Sequence, residues 1–280
     1  MAARTKAYQS EDFIHSVEAR PVRILAEYAE PLARFHRHGV IDTIVFMGSA
    51  RFLSREDAEA QIAAVHQQSS DEAEIRMAEQ VLANAAYYEA ARQLAFQLTT
   101  WAKETKPQRY IVCTGGGPGI MEAANRGAAE ADGLSIGLTI SLPFEEFNND
   151  YVTPDLHFHF HYFFMRKFWF TYLAKAVVMM PGGFGTLDEL FEILTLAQTR
   201  KMTKQIPIVL FGTSYWNEVI DFEAMVRHGV IDRQDLDLFS FADDPASALR
   251  TLQAKLPTAP DVKTPAFAKS RTASDPGGAL

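Results

Sequence analysis

Apolar residues along this chain fall into short, β-branched runs separated by longer stretches of helical composition, and the runs tend to close on glycine, serine or proline. Thr43 to Met47 is the first, ending at Gly48-Ser49, the profile of a buried parallel strand. Tyr110–Thr114, Leu134–Ile140 (ending at Pro143), Leu156–Phe163, Ala176–Met180 and Ile206–Phe211 read the same way. Between them the spacing predicts helices over 22–38, Ile120–Ala131, Met165–Leu173, Thr186–Thr199, Tyr215–Arg227 and Pro245–Leu256. Ser54 to about Lys103 is rich in Ala, Glu, Gln and Leu and reads as two helices, split near Ser69-Ser70-Asp71 with Ser70 as a cap. The alternation predicts an α/β fold: a doubly wound, mostly parallel sheet with helices on both faces. The expected organisation is an N-terminal helical extension (1–40), one α/β domain (41–256) and a flexible C-terminal tail (257–280) without periodicity.

Composition narrows the field. With 280 residues, 48% hydrophobic and 22% charged, the chain is long enough to bury a sizeable core and ordinary in its balance. A net charge of -8 argues against a nucleic-acid partner, since polyanion binding draws on Lys and Arg, but leaves room for a small anion. The start, Met1-Ala2-Ala3-Arg4-Thr5-Lys6, leads into polar residues, so no secretory signal is expected. No run approaches the ~20 apolar residues of a membrane span, and a cytoplasmic setting is expected. The single cysteine, Cys113, lies in an apolar run and reads as a buried small hydrophobe.

Two glycine turns carry the candidate chemistry. Thr114-Gly115-Gly116-Gly117-Pro118-Gly119 follows a strand and opens a helix, which suits close approach of backbone N–H groups to an anion. It misses the G-x-G-x-x-G spacing, and no acidic residue ends the next strand, so a dinucleotide is disfavoured. Pro181-Gly182-Gly183-Phe184-Gly185-Thr186-Leu187-Asp188-Glu189 is the second. Its glycines form a nest of donors, with Glu189 one turn further in. Thr186 and Glu189 also have capping-box spacing, so Glu189 could serve only to tie down a helix start. Gly48-Ser49 adds a third small-residue turn at a strand end, the edge where doubly wound sheets bind ligands. Arg166 and Lys167 stand in an aromatic segment, and Arg166 offers a fork suited to phosphate. His157, His159 and His161 alternate with phenylalanine and share one strand face, an arrangement too widely spaced to favour a metal site.

Gly115-Gly116-Gly117-Pro118-Gly119-Ile120-Met121-Glu122-Ala123-Ala124-Asn125, Arg166-Lys167 and Pro181-Gly182-Gly183-x-Gly185-Thr186-x-x-Glu189 together resemble the Lonely Guy family, long described as lysine decarboxylases. The resemblance implies a modified Rossmann fold, a homodimer or larger homo-oligomer, no cofactor, and hydrolysis of the N-glycosidic bond of a nucleoside 5′-monophosphate. Cytokinin riboside monophosphates and AMP are the substrates it implies. It makes Arg166 and Glu189 catalytic. Gly48, Ser49, Gly116, Gly117, Gly119, Glu122, Lys167, Gly182, Gly183, Gly185 and Thr186 are the residues expected to bind substrate or phosphate. Phe163 stands three positions before the Arg-Lys pair, where the short plant forms carry methionine, and Pro118 with Glu122 looks closer to the larger bacterial members. Two rivals remain: a molybdenum-cofactor carrier, similar in fold and turns but releasing no base, and a lysine decarboxylase, which needs pyridoxal phosphate on a lysine.

Overall fold

The computed structural model describes residues 6–68, 71–105, 109–141, 149–201 and 206–256. The strands are β1 (Thr43–Met47), β2 (Ile111–Thr114), β3 (Ser135–Ile140), β4 (His157–Phe160), β5 (Ala174–Met179), β6 (Ile208–Phe211) and β7 (Phe239–Ala242). The helices are α1 (Glu11–Ile14), α2 (Arg20–Arg37), α3 (Arg55–Gln68), α4 (Glu72–Glu104), α5 (Ile120–Glu130), α6 (Phe163–Tyr172), α7 (Phe184–Gln198), α8 (Thr213–Val219), α9 (Phe222–Arg227) and α10 (Pro245–Lys255). The seven strands form one sheet in the order β4-β3-β2-β1-β5-β6-β7, and every pairing is parallel. The order reverses between β1 and β5, which makes that the switch point of a doubly wound sheet.

The unbroken apolar run of β1 follows from burial on both faces. Val45 and Met47 join one core with Phe35 of α2, Trp169 of α6, Ile193 of α7 and Trp216 of α8. Ile44 and Phe46 point the other way, into a second core with Leu94 and Leu98 of α4, Ile120 of α5 and Leu252 of α10. The helix over residues 20–37 also ties itself to the sheet through polar atoms. The Glu27 carboxylate accepts from the backbone N–H groups of His161 (2.7 Å) and Tyr162 (3.2 Å), and Trp169 Nε1 donates to the Glu27 carbonyl (2.9 Å).

Several expectations shift. The second long helix is capped by Asp71, whose carboxylate accepts from Ala73 N; Ser70, Pro143 and the tail over 257–280 lie outside the described residues. The strand expected over Leu156–Phe163 stops at Phe160, and Phe163 already belongs to α6, so His161 leaves the strand face it was expected to share. Tyr215–Arg227 is not one helix: Asp221 accepts from Ala224 N and starts α9 afresh. β7 was not anticipated, because its four residues, Phe-Ser-Phe-Ala, follow an acid-rich stretch.

Candidate active site

Three strand ends meet at the switch point. Ser49 N, just past β1, donates to the Pro181 carbonyl just past β5 (2.9 Å), and Ile120 N at the start of α5 donates to the Ser49 carbonyl (3.0 Å). Gly119 makes that closeness possible: its φ is 69°, and a Cβ there would collide with the Ser49 carbonyl oxygen. The first glycine turn is held from below by a buried amide network. Thr114 Oγ1 donates to Asn125 Oδ1 (2.6 Å) and accepts from Gly116 N (2.9 Å), while Asn149 Nδ2 donates to the Gly117 carbonyl (3.3 Å). In the second turn, Tyr215 OH donates to the Gly182 carbonyl (2.6 Å).

The second turn begins α7 earlier than its sequence suggests. The helix starts at Phe184 with Gly183 as its N-cap and no side chain capping it. Thr186 is therefore inside the first turn, and Glu189 lies beyond it, so the capping-box reading of this pair is corrected: Glu189 does not tie down the helix start. The N–H groups of Phe184, Gly185 and Thr186 have no acceptor within the helix, and with the helix dipole they favour an anion.

A cleft of about 1420 Å³ opens above these turns. Of the residues expected at the site, Gly48, Ser49, Gly116, Gly117, Arg166, Gly182, Gly183, Gly185, Thr186 and Glu189 line it. Three do not. Gly119 is packed beneath the turn, Glu122 accepts a hydrogen bond from Tyr88 OH (2.7 Å), and Lys167 pairs with Asp188 and Glu192, each at 2.7 Å. Sequence reasoning missed Asn84, Thr139, Ser141 and Tyr215, which come from separate elements and carry no local motif.

Glu189 and Arg166 are the charged pair of the cleft. Glu189 is only 4% exposed, and its Oε2 has no hydrogen-bond partner; Lys167 Nζ approaches Oε1 at 4.0 Å. Burial raises the Glu189 carboxyl to about 7, against the opposing pull of Lys167 and Arg166. Arg166 is half-buried, and its enclosed Nε has no partner; burial lowers its pKa while Glu189 and Asp188 oppose the shift. Enclosed polar atoms with unspent hydrogen-bonding capacity, on two residues that line one cleft, are costly in a protein interior and expected at functional sites. Cys113 is buried beneath them with its pKa pushed up by burial, which makes it an inert thiol. Among the histidines, His159 bonds Thr139 and Ser141, whereas the His161 backbone is held by Glu27. No described helix is long and apolar enough to cross a membrane.

Fold and cleft together define a doubly wound α/β protein with a nest of backbone N–H donors, a buried carboxylate and a half-buried guanidinium at its switch point. Residues 121–252 match the family described as "possible lysine decarboxylase". That match spans 132 of the 280 residues and takes in the Arg166-Lys167 and Pro181–Glu189 motifs that resemble the Lonely Guy family. It is 33% identical over 79 residues to an Oryza sativa subsp. japonica protein named as a probable cytokinin riboside 5′-monophosphate phosphoribohydrolase. That match covers 28% of this chain and 34% of the relative. A cytokinin riboside 5′-monophosphate phosphoribohydrolase of Arabidopsis thaliana is 27% identical over 192 residues, 66% of this chain and 76% of the relative. The pyrimidine/purine nucleotide 5′-monophosphate nucleosidase of Escherichia coli is 27% identical over 164 residues, 52% of this chain. The chain thus spans about a third of the rice and bacterial relatives, 34% of each. Among solved structures, the molybdenum cofactor binding protein of Rippkaea orientalis superposes with a TM-score of 0.44 at 18% identity, covering 77% of this chain and 96% of that one.

Proposed function

We propose that the protein is a nucleoside 5′-monophosphate phosphoribohydrolase, which splits the N-glycosidic bond with water to give a free base and ribose 5-phosphate. The observation that carries this reading is Glu189: a buried carboxylate with one unpartnered oxygen, beside Arg166 and one helical turn from a nest of N–H donors. Cleavage of the C1′–N bond develops oxocarbenium-like charge on the ribose, as in glycoside hydrolysis. In this reading the Gly182–Thr186 nest takes the 5′-phosphate and fixes C1′ over Glu189. The ionised carboxylate stabilises the developing positive charge and orients the water. Arg166 holds the substrate and offsets charge on the phosphate or the departing base. The names of the relatives support a nucleotide monophosphate as substrate. A decarboxylase reading is disfavoured by Lys167: clamped by Asp188 and Glu192, its pKa is raised, the reverse of what a Schiff-base lysine needs.

Glu189→Gln is expected to abolish release of base from AMP while nucleotide binding, followed by calorimetry, is kept. Unchanged turnover would overturn the assignment. We also propose a homo-oligomer, supported by exposed Phe164 on α6 and exposed Leu25 on α2, which line one apolar hollow; sedimentation of the purified chain tests it.

A further inference from the structure

The far end of the cleft carries a hydrogen-bond relay whose direction can be worked out. Thr139 on β3 and His159 on β4 are register partners. Phe158 and Phe160 fill the core, so His159 falls on the opposite strand face, where it lines the cleft. Thr139 Oγ1 lies 2.7 Å from the Phe158 carbonyl, which can only accept, so the one hydroxyl proton of Thr139 is committed there. The same Oγ1 lies 3.0 Å from His159 Nδ1 and must accept from it. In the neutral ring the proton therefore sits on Nδ1, and Nε2 is an acceptor. Ser141 Oγ, 2.8 Å from Nε2, gives its proton to that nitrogen. Ser141 is left with lone pairs and no proton to offer: it faces the cleft as an acceptor.

Contacts along the floor order the cleft. The Gly182–Thr186 nest and Glu189 lie on the β5 side, and the Arg166 guanidinium lies 3.9 Å from where a Cβ on Gly115 would stand. A Cβ on Gly116 would stand 2.7 Å from Thr139 Cγ2. The sequence is thus anion nest, charged pair, first glycine turn, relay. A nucleotide anchored by its phosphate at the first presents its base towards the last.

We propose that Ser141, oriented through His159 and Thr139, determines which base is accepted, selecting an exocyclic amino group over a keto oxygen. This rests on the hydrolase reading above. An amino group donates to Ser141 Oγ. A keto oxygen would oppose lone pair to lone pair, or would take the serine proton and leave His159 Nε2 unpaired. Thr139 and His159 act through Ser141 and are positioning residues.

The test compares kcat/KM for AMP and IMP, which carry an amino and a keto group at the same position of the base. The wild type should favour AMP by about tenfold, the size of effect one net hydrogen bond gives. Ser141→Ala should bring the ratio close to one. Thr139→Val keeps the shape at Gly116 but frees the imidazole to carry its proton on Nε2, which returns a proton to Ser141 and should turn preference towards IMP. Equal use of AMP and IMP by the wild type, or wild-type ratios in both variants, overturns the proposal. A lost affinity for ribose 5-phosphate in Ser141→Ala also overturns it, because the anchored end would have moved. If neither nucleotide is cleaved, the hydrolase reading falls by itself. The relative affinities of AMP and IMP for the same three proteins, by calorimetry, then decide the selectivity.

Discussion

Two buried carboxylates, Asp42 before β1 and Glu189 in α7, each lie close to one arginine and one lysine, and the fold treats them differently. Asp42 is 1% exposed, and Arg109 Nε meets its Oδ2 at 2.5 Å while Lys175 Nζ stands 3.4 Å from Oδ1. Glu189 is 4% exposed, yet its nearest cation is 4.0 Å away, and Lys167 is drawn off to Asp188 and Glu192. Asp42 lies at the end of the sheet where the strands begin, remote from the cleft. Its cations are close enough to offset its charge, although its Oδ1, like Glu189 Oε2, accepts no hydrogen bond. Glu189 stands at the switch point with its charge unsatisfied. A carboxylate, a guanidinium and an ammonium make a staple in one place and, on the proposed reading, a reactive centre in the other, and what differs is how closely the cations approach.

Swapping the carboxylates for neutral groups should separate the two roles. Glu189→Gln is expected to cost at least about a thousandfold in kcat, within the range of a lost catalytic carboxylate, with the thermal midpoint kept or raised. A mutant that loses stability instead would place Glu189 with Asp42. Asp42→Ala should do the opposite and destabilise by about 3–5 kcal/mol, because removing one partner leaves buried cations uncompensated. Urea unfolding measures it, and kcat per folded molecule should be unchanged.

The pH dependence sharpens the contrast. Burial holds the folded Glu189 carboxyl at about 7, above the ordinary 4.5. A raised carboxyl favours the protonated form in the folded state. Its stabilising contribution is therefore complete below about pH 4.5 and is lost as pH rises through 7. The loss is about 3 kcal/mol at most, and Glu189→Gln should lack it in unfolding curves taken from pH 5 to 8. Turnover, which needs the carboxylate, should rise over the same interval with an acid limb near pH 7. Lys167→Met is a smaller perturbation. Removing a cation that favours the ionised form should move that limb to higher pH, and a limb that stays in place would show Lys167 acting only on Asp188 and Glu192.

The inner strands were legible because a strand buried on both faces is written as a largely apolar run, as in β1, β2 and β6, whereas the edge strand β4 alternates His-Phe-His-Phe. β7 escaped because Phe239–Ala242 alternates over only four residues. The residues of the second glycine turn were legible for a related reason: glycine turns and the carboxylate beyond them are local in sequence. Local spacing also misled, since Thr186 and Glu189 imitate a capping box although the helix begins at Phe184. Ser141 and His159 could not be found this way, because β3–β4 register brings them together.

Gly183 and Gly185 point to an asymmetry between evolution and engineering. A Cβ at either position would meet no atom of the protein within 4 Å, and neither has a positive φ. Alanine at 185, in the first turn of α7, should gain roughly 0.5–1 kcal/mol of helix stability while crowding the incoming phosphate. Selection for folding alone would discard that glycine. On the proposed reading its presence is a record of the guest and not of the host, and Gly185→Ala is expected to give a hardened, ligand-blind twin of the protein for use as a control.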